Sequence, residues 1–184
     1  GGRSLDNSAP KYINSSENNF FKKRNILYNM NNLKMMKTRE HSLYIVEGYT
    51  DVIAMEQNGY NAVAPLGTAI SLEQINLTWK YVNEPNITFD GDKAGVNATY
   101  RALDVALFSI EPEKTLNFIF LAQGEDPDSL LKTTEGKIRF QNFIKGKSSL
   151  IETLIKSQIT NNLDTPERVL AFKKKLLNKI NNIK

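Results

Sequence analysis

The sequence predicts an α/β fold in which a parallel β-sheet is sandwiched between helices. From residue 43 onward, short apolar runs alternate with segments of helical periodicity. The first of these runs is apolar and β-branched throughout, as in a strand that is buried on both faces. Glycine and proline turns separate one element from the next. Strands and helices that alternate at this length are typical of a parallel sheet covered on both sides.

The first strand is expected at Leu43–Glu47, where four apolar residues are followed by one carboxylate. Gly48 relieves the backbone at the turn, and apolar residues then recur at helical spacing over about Asp51–Asn58. Gly59 is suited to end this helix, because a glycine commonly follows the C-cap. The second strand is expected at Ala62–Pro65.

The next helix is expected to begin after Ser71, because Ser71 and Gln74 have the spacing of a capping box. Pro85 closes this helix, which reaches about Val82, and Asn86–Phe89 is the third strand. The remaining elements follow the same logic of apolar runs and turn residues. They are a helix at about Ala94–Phe108, a strand at Leu116–Leu121, a polar turn at Gly124–Asp128, and helices at Ser129–Thr133 and Lys137–Ile144.

The two ends of the chain differ from this regular centre. Residues 1–42 are poor in apolar residues and rich in Asn, Ser and Lys, with a short helix or strand expected around Ile26–Leu33. From Leu150 the apolar spacing is helical, and Thr165 followed by Pro166 is a strong helix start, so a small helical bundle is expected. The opening glycines and the absence of an initiator Met indicate a segment of a longer protein.

Composition limits the chemistry. The 184 residues include no Cys and one His, which excludes disulfides, thiolate zinc sites and histidine metal clusters. A bound metal would therefore have oxygen ligands, as Mg²⁺ or Mn²⁺ does. No stretch is apolar enough to span a membrane and no signal peptide is present, so a cytoplasmic location is expected. The net charge of +4 allows an anionic partner, although Lys and Asn enrichment also follows from an AT-rich genome.

Carboxylates follow three of the predicted strands. Glu47 ends the first, Asp90 and Asp92 follow the third, and Asp126 and Asp128 follow the fourth. Because parallel strands end at one edge of a sheet, these acids are expected to lie together and to need a cation or protons. The sequence thus predicts a divalent-cation site. Simpler interpretations stay open: a solvated turn for the first Asp pair, and helix capping for the second.

Basic and aromatic residues alternate before the first strand. This mixture suits single-stranded nucleic acid, whose backbone attracts cations and whose bases stack on rings. The aromatic residues could equally belong to the core while the lysines are solvated. The basic residues are Arg3, Lys11, Lys22, Lys23 and Arg24, and the aromatic ones are Tyr12, Phe20, Phe21 and Tyr28.

Several blocks, in order and at matching spacing, resemble a known family. EGYTDVIA, PLGTA, FDGDKAG with Arg101-Ala102, and GEDPDSLL are similar to the Toprim core of the bacterial replicative DNA primase of the DnaG type. GGR, PKYINSSE and FFKKRNILY resemble the basic subdomain of the same family. The resemblance covers about residues 1–145. It divides the chain into the end of a basic, nucleic-acid-binding subdomain (1–42), a Toprim catalytic core (43–134) and a helical subdomain (135–184).

The resemblance implies synthesis of RNA primers on a single-stranded DNA template from ribonucleoside triphosphates at the replication fork, in the bacterial cytoplasm near the nucleoid. It makes Glu47, Asp90 and Asp92 the ligands of the catalytic metals, Mg²⁺ or Mn²⁺. It adds Asp126 and Asp128 to the same metal site. The basic residues that it assigns to template or nucleotide phosphates are Arg3, Lys11 and Lys23. Family members also carry an N-terminal zinc-binding domain and a C-terminal domain that docks on the replicative helicase.

The sequence departs from the family pattern at Arg24-Asn25, where Gly and a basic residue are usual, and at Asn29, where Gly is usual. Other functions would use similar residues. A haloacid-dehalogenase-like phosphohydrolase shares the FDGD block, but Lys93-Ala94 replaces the Gly-Thr that usually follows. A Toprim nuclease would use the same acids for hydrolysis. A non-catalytic nucleic-acid-binding module would have lost some of these carboxylates, and all five are present.

Overall fold

The computed structural model describes residues 2–3, 12–13, 15–35, 42–67, 69–159 and 162–181. Within them, eight strands form one six-stranded sheet and one separate two-stranded pair. The strands are β1 Gly2–Arg3, β2 Tyr12–Ile13, β3 Leu27–Tyr28, β4 Leu43–Ile45, β5 Asn61–Pro65, β6 Asn86–Phe89, β7 Asn117–Phe120 and β8 Ser148–Ser149. The helices are α1 Met30–Met35, α2 Tyr49–Gln57, α3 Leu72–Thr78, α4 Lys93–Leu107, α5 Pro127–Leu131, α6 Thr134–Lys145, α7 Leu150–Gln158 and α8 Pro166–Ile180, with a 3₁₀ turn at Lys23–Asn25.

The large sheet has the strand order β3-β5-β4-β6-β7-β8. Its four central strands are parallel, as the sequence predicts, and its two outer strands run antiparallel to their neighbours. Both outer strands are only two residues long, which is too short for a recognisable pattern. The fold class is confirmed, and the sheet is mixed rather than parallel throughout.

Two apolar cores lie on opposite faces of this sheet. The strands alternate between them: Leu43 and Ile45 face one core, and Tyr44 faces the other. Helices α3, α4 and α7 contribute Ile75, Leu103 and Leu154 to the first core. Helices α2, α5 and α6 contribute Met55, Leu131 and Phe140 to the second. The central strands are therefore buried on both faces, which explains their continuous apolar runs.

In the described part of the C-terminal region, α7 adds to the first core and α8 has no buried residue. Leu150 and Leu154 of α7 are buried in the first core, and α7 packs against α4. Helix α8 packs on α7, and Lys179 near its end forms an ion pair with Asp104 of α4. The expected helices are present, and Thr165 caps α8 with Pro166 in the first turn. The division of the chain at residue 135 stays a prediction.

The connections define a switch point in the sheet. Helix α2 links β4 to β5 on one side, whereas α4 links β6 to β7 on the other. The carboxyl ends of the neighbouring strands β4 and β6 therefore flank a crevice, which is where open α/β sheets bind ligands. Among the helices in the described residues, none is both long and apolar enough to cross a bilayer.

Candidate active site

Glu47 and Asp90 meet at the switch point. Each residue lies just beyond the carboxyl end of its strand, β4 or β6, and these strands are hydrogen-bonded neighbours. The backbone N–H of Asp90 donates a hydrogen bond to Oε1 of Glu47 at 3.2 Å. The strand order therefore brings together two acids that are 43 residues apart in sequence, as the sequence analysis expects.

The loop after β6 is pressed against the loop after β7. A Cβ atom on Gly91 would lie 1.9 Å from the carbonyl oxygen of Ala122, so only glycine fits there. The N–H of Gly91 donates to the carbonyl oxygen of Glu125 at 2.8 Å. A Cβ on Gly95 would lie 2.1 Å from the carbonyl oxygen of Asp90, so the first turn of α4 also lies against this loop. The two Asp-X-Asp sequences are thus held side by side by their backbones.

Two of the predicted acids cap helices. Oδ1 of Asp92 accepts a hydrogen bond from the N–H of Gly95 at 2.7 Å and caps α4. Oδ1 of Asp126 accepts one from the N–H of Ser129 at 2.6 Å and caps α5. Asp128 forms an ion pair with Lys132 at 2.8 Å. Helix capping therefore accounts for part of the acidic pattern, as one of the simpler interpretations proposes.

Asp51 is a buried acid of this site to which the sequence analysis assigns no role. Its side chain is only 7% exposed. Oδ2 accepts a hydrogen bond from the N–H of Gly48 at 3.0 Å, and Oδ1 accepts a longer one, 3.4 Å, from the N–H of Asp128. The sequence contains a signal for this position. An acid at the third residue of a helix commonly accepts a hydrogen bond from the backbone of the residue before the helix, and here that residue, Gly48, follows Glu47.

Burial, and to a smaller extent the nearby carboxylates of Asp90 and Asp126, raise the pKa of Asp51 from 3.8 to about 7. The backbone hydrogen bonds from Asp128 and Gly48 act in the opposite direction but do not offset this effect. The pocket therefore holds more negative charge than its own surroundings compensate. A proton or a bound cation would relieve the repulsion.

These acids line one cavity of about 390 Å³. Arg101 of α4 is the only cationic side chain among the described residues that line it. Asp92 is exposed and does not belong to the lining, so the structure groups four of the five predicted acids with Asp51 and leaves Asp92 at the rim. The acidic residues of the lining are Glu47, Asp51, Asp90, Asp126 and Asp128.

The donor set fits a hard divalent cation, since it consists of carboxylates, and burial together with repulsion from Asp90 and Asp126 already raises the pKa of Asp51. Among the described residues, however, no three acidic or histidine side chains form a ready-made metal cluster. Mg²⁺ does not need such a cluster, because it is usually held by one or two carboxylates together with water and substrate phosphates. The arrangement is therefore compatible with a metal that binds along with an anionic substrate.

The basic segment, Lys22–Arg24, is hydrogen-bonded to α3 and to Ser71, the residue before it. Nε2 of the fully buried Gln74 donates to the carbonyl oxygens of Lys23 and Ile26 at 3.0 and 2.7 Å. Ser71 donates through Oγ to the carbonyl oxygen of Arg24 at 2.5 Å. Ile70, one residue earlier, lines the cavity. Arg3 belongs to β1, and Lys11 lies outside the described residues.

The departures from the family pattern now have physical explanations. Asn29 has a φ of +64°, in the left-handed region that favours Gly and tolerates Asn. Its side chain donates to Oε1 of Glu56 and to the carbonyl oxygen of Ala62, both at 2.9 Å, which holds the turn. Arg24 forms an ion pair with Glu73 of α3 at 2.9 Å, so its charge helps to fix the segment.

Comparison with known proteins agrees with this geometry. Residues 41–116 match the Toprim domain family, and residues 1–34 match the family described as the DNA primase catalytic core, N-terminal domain. The DNA primase of Escherichia coli is 39% identical over 169 residues, which are 91% of this chain but only 29% of that protein.

Solved structures give the same result. A DNA primase domain from Pseudomonas aeruginosa has a TM-score of 0.89 and 36% identity, over 99% of this chain and 57% of that one. A DnaG primase catalytic domain bound to single-stranded DNA has a TM-score of 0.87 and 36% identity, over 100% of this chain and 59% of that one. The chain thus spans under a third of that curated relative and over half of the solved domains. It belongs to the DnaG-type bacterial DNA primase family, as a Toprim-containing segment of the catalytic core.

Proposed function

We propose that this chain carries the catalytic centre for DNA-directed synthesis of RNA primers on single-stranded DNA at the replication fork. The observation that supports this most is the group of five carboxylates around one cavity at the switch point of the sheet. Such a cavity suits nucleotidyl transfer, which depends on positioning and electrostatics rather than on a covalent nucleophile.

Two Mg²⁺ or Mn²⁺ ions, when bound here, would activate the primer 3′-hydroxyl and stabilise the leaving pyrophosphate. Glu47, Asp90 and Asp92 are the proposed catalytic ligands, with Asp126 and Asp128 in support. Both capping aspartates use Oδ1 for the cap, which leaves Oδ2 for a cation. Asp51 is buried between these acids and controls how much charge the cavity carries.

Arg101 is proposed to bind the phosphates of the incoming ribonucleoside triphosphate. It lies on α4 beside Ala98, facing the same cavity as Asp90. A guanidinium group suits phosphate because its N–H groups match two phosphate oxygens at once. Arg101 was part of the matched motifs, and the sequence alone gave no reason to separate it from the apolar face of α4.

The template is proposed to approach over the basic segment. Gln74 holds the backbone of Lys23 against α3, and Lys23, Arg3 and Lys11 are proposed to bind the phosphates of the template or the nucleotide. One of the similar structures is a DnaG catalytic domain bound to single-stranded DNA, which supports this choice of nucleic acid. Zinc in an upstream domain and a helicase partner at a downstream domain, in a bacterial nucleoid, are proposals that concern parts beyond this chain.

The test is a chimera in which this chain replaces the matching segment of the Escherichia coli primase, assayed for ribonucleotide incorporation on single-stranded DNA. Glu47→Gln and Asp90→Asn are the test variants, because both side chains keep their shape and lose their charge. Glu135→Gln is the matched control, since Glu135 is exposed and lies outside the cavity lining.

We expect the parent chimera and the control to make primers with Mg²⁺ or Mn²⁺, and the two test variants to lose at least a hundredfold in rate. A folded parent chimera that makes no primers would contradict the proposal. Metal-dependent degradation of the DNA, lost in the same variants, would instead identify a Toprim nuclease.

A further inference from the structure

Phe20 is the most exposed large apolar side chain in the described residues, at 98% of its full accessibility. Leaving a Phe in water forgoes about 1.5–3 kcal/mol of burial energy. Isolated surface apolar residues are common, so exposure alone carries little meaning. The exposure of Phe20 becomes informative when the turn that carries it and the neighbouring lysines are considered.

The turn that carries Phe20 is fixed by its own hydrogen bonds. Oδ1 of Asn18 accepts from the N–H groups of Phe20 and Phe21 at 2.8 and 2.9 Å, and the N–H of Asn18 donates to the carbonyl oxygen of Phe21 at 3.0 Å. Oε1 of Glu17 accepts from the N–H of Lys23 at 2.7 Å. An ordered turn thus presents the ring to solvent, which lowers the entropy cost of binding to it.

Three cationic residues follow this ring closely in the sequence. Lys22 is exposed, Lys23 is partly exposed, and Arg24 is paired with Glu73. Gln74 of α3 and Ser71 before it donate hydrogen bonds to the backbone carbonyl oxygens of Lys23 and Arg24. Ser71 follows Ile70, a residue of the cavity lining. The ring and the lysines therefore lie on an ordered segment that is hydrogen-bonded to Ser71 and to Gln74 of α3.

We propose that Phe20 is a stacking platform for a base of the single-stranded DNA template, with Lys22 and Lys23 binding the adjacent phosphates. This inference rests on the proposed function, for which it names a template contact. A single strand fits because its bases expose their faces, whereas those of a duplex are covered by their neighbours. An aromatic ring beside cations is the combination that binds single strands without strong sequence preference.

Affinity for a labelled oligodeoxythymidylate, measured by fluorescence anisotropy in EDTA, tests the proposal without metal or catalysis. We expect Phe20→Ala to weaken binding by about 5- to 150-fold, the range for loss of one base stack, and Phe20→Trp to retain it. Phe108→Ala is the matched control. Phe108 is also exposed, at 51%, but it lies at the opposite end of α4 from the cavity.

The salt dependence separates stacking from charge. Phe20→Ala should leave the slope of log affinity against log salt unchanged, whereas Lys22→Gln should reduce its magnitude by about 0.7. Phe20→Trp adds a direct readout: its fluorescence should be quenched by the oligonucleotide. The only native tryptophan, Trp79, is 4% exposed and bonded to the carbonyl oxygen of Thr115, so its own signal should not change.

Binding by Phe20→Ala within twofold of the parent, or an equal loss in Phe108→Ala, would overturn the proposal. So would a parent chain that binds no oligonucleotide. None of these three results bears on nucleotidyl transfer, which the chimera tests through Glu47 and Asp90. Conversely, a chimera that fails to prime while Phe20→Ala weakens binding would leave the platform supported and overturn the catalytic assignment.

Discussion

The two Asp-X-Asp loops of the cavity have the same local pattern and different tasks. In the loop after β6 the second acid, Asp92, caps a helix, and the first, Asp90, faces the cavity. In the loop after β7 the first acid, Asp126, caps a helix and still lines the cavity, together with Asp128. Of the four acids only Asp92 lies outside the lining, so the two loops present three acids to the cavity.

The difference shows that a motif states which groups are available, whereas the fold decides how each is used. The N–H of Gly91 donates to the carbonyl oxygen of Glu125, so the two loops hold each other in place. Asp90 of one loop and Asp126 of the other both add to the effect of burial in raising the pKa of Asp51.

The largest effect is expected from separating the two loops. Gly91→Ala places a methyl group 1.9 Å from a carbonyl oxygen, where only backbone movement can relieve the clash. We expect a loss of about 4 kcal/mol or more in the free energy of unfolding, measured by urea denaturation, since overpacking against backbone is among the most costly changes.

Gly124→Ala is the matched control for this prediction. Gly124 has a φ of +80° but no atom within 4 Å of an added Cβ, so only conformational strain of about 1–2 kcal/mol is expected. Equal losses in the two variants would show that close contact between the loops does not matter.

The next effect concerns the charge that both loops place around Asp51. Its raised pKa means that the folded state keeps a proton that the unfolded chain releases above about pH 4. The stability contributed by this group is fully present below pH 4 and is lost as the pH rises through 7, by up to about 4 kcal/mol in EDTA. Asp51→Asn should remove most of this pH dependence and be more stable than the parent at pH 8.

Adding Mg²⁺ gives a second test of the difference between the parent and Asp51→Asn. At pH 8 we expect it to raise the urea midpoint of the parent, because a cation replaces the missing proton, and to raise that of Asp51→Asn much less. Glu135→Gln, which changes an exposed acid outside the lining, should behave like the parent. Identical pH profiles for the parent and Asp51→Asn would show that the pKa of Asp51 is not raised in the folded protein.

The positions of Glu47 and Asp90 could be predicted from the sequence, because acids at the ends of buried strands must lie at one edge of a parallel sheet. The order of the strands could not be predicted, and it is the order that makes β4 and β6 neighbours and places these acids at the switch point. The short element expected around Ile26–Leu33 is present as β3 and the start of α1, whereas β8 could not be predicted because two residues have no periodicity. Asp51 was missed because a helix-capping acid and a cavity acid have the same sequence signature.

A smaller effect is expected from the ion pair that joins the loop after β7 to helix α6. The side chain of Glu125 is largely buried and forms an ion pair with Arg139 of α6 at 2.5 Å, while its Oε2 has no hydrogen-bond partner. Arg139→Gln removes the charge beside the largely buried Glu125, and because the Arg139 side chain itself is 48% exposed, we expect a cost of about 1 kcal/mol. The double variant with Glu125→Gln should recover part of this loss. Unfolding free energies of the four proteins form a cycle, and additive losses would mean that the pair is not coupled.

The smallest effect compares the two capping aspartates directly. Asn caps helices as well as Asp, so Asp92→Asn and Asp126→Asn should both keep their caps. Asp126→Asn also removes a carboxylate that raises the pKa of Asp51, and we therefore expect it to stabilise the metal-free protein at pH 8 by up to about 1 kcal/mol. Asp92→Asn should change the unfolding free energy by less than about 0.5 kcal/mol, because Asp92 is exposed and outside the lining. An equal increase in the unfolding free energy of both variants would mean that Asp92 and Asp126 repel Asp51 to the same extent. The two loops would then not differ in the charge that they add to the cavity.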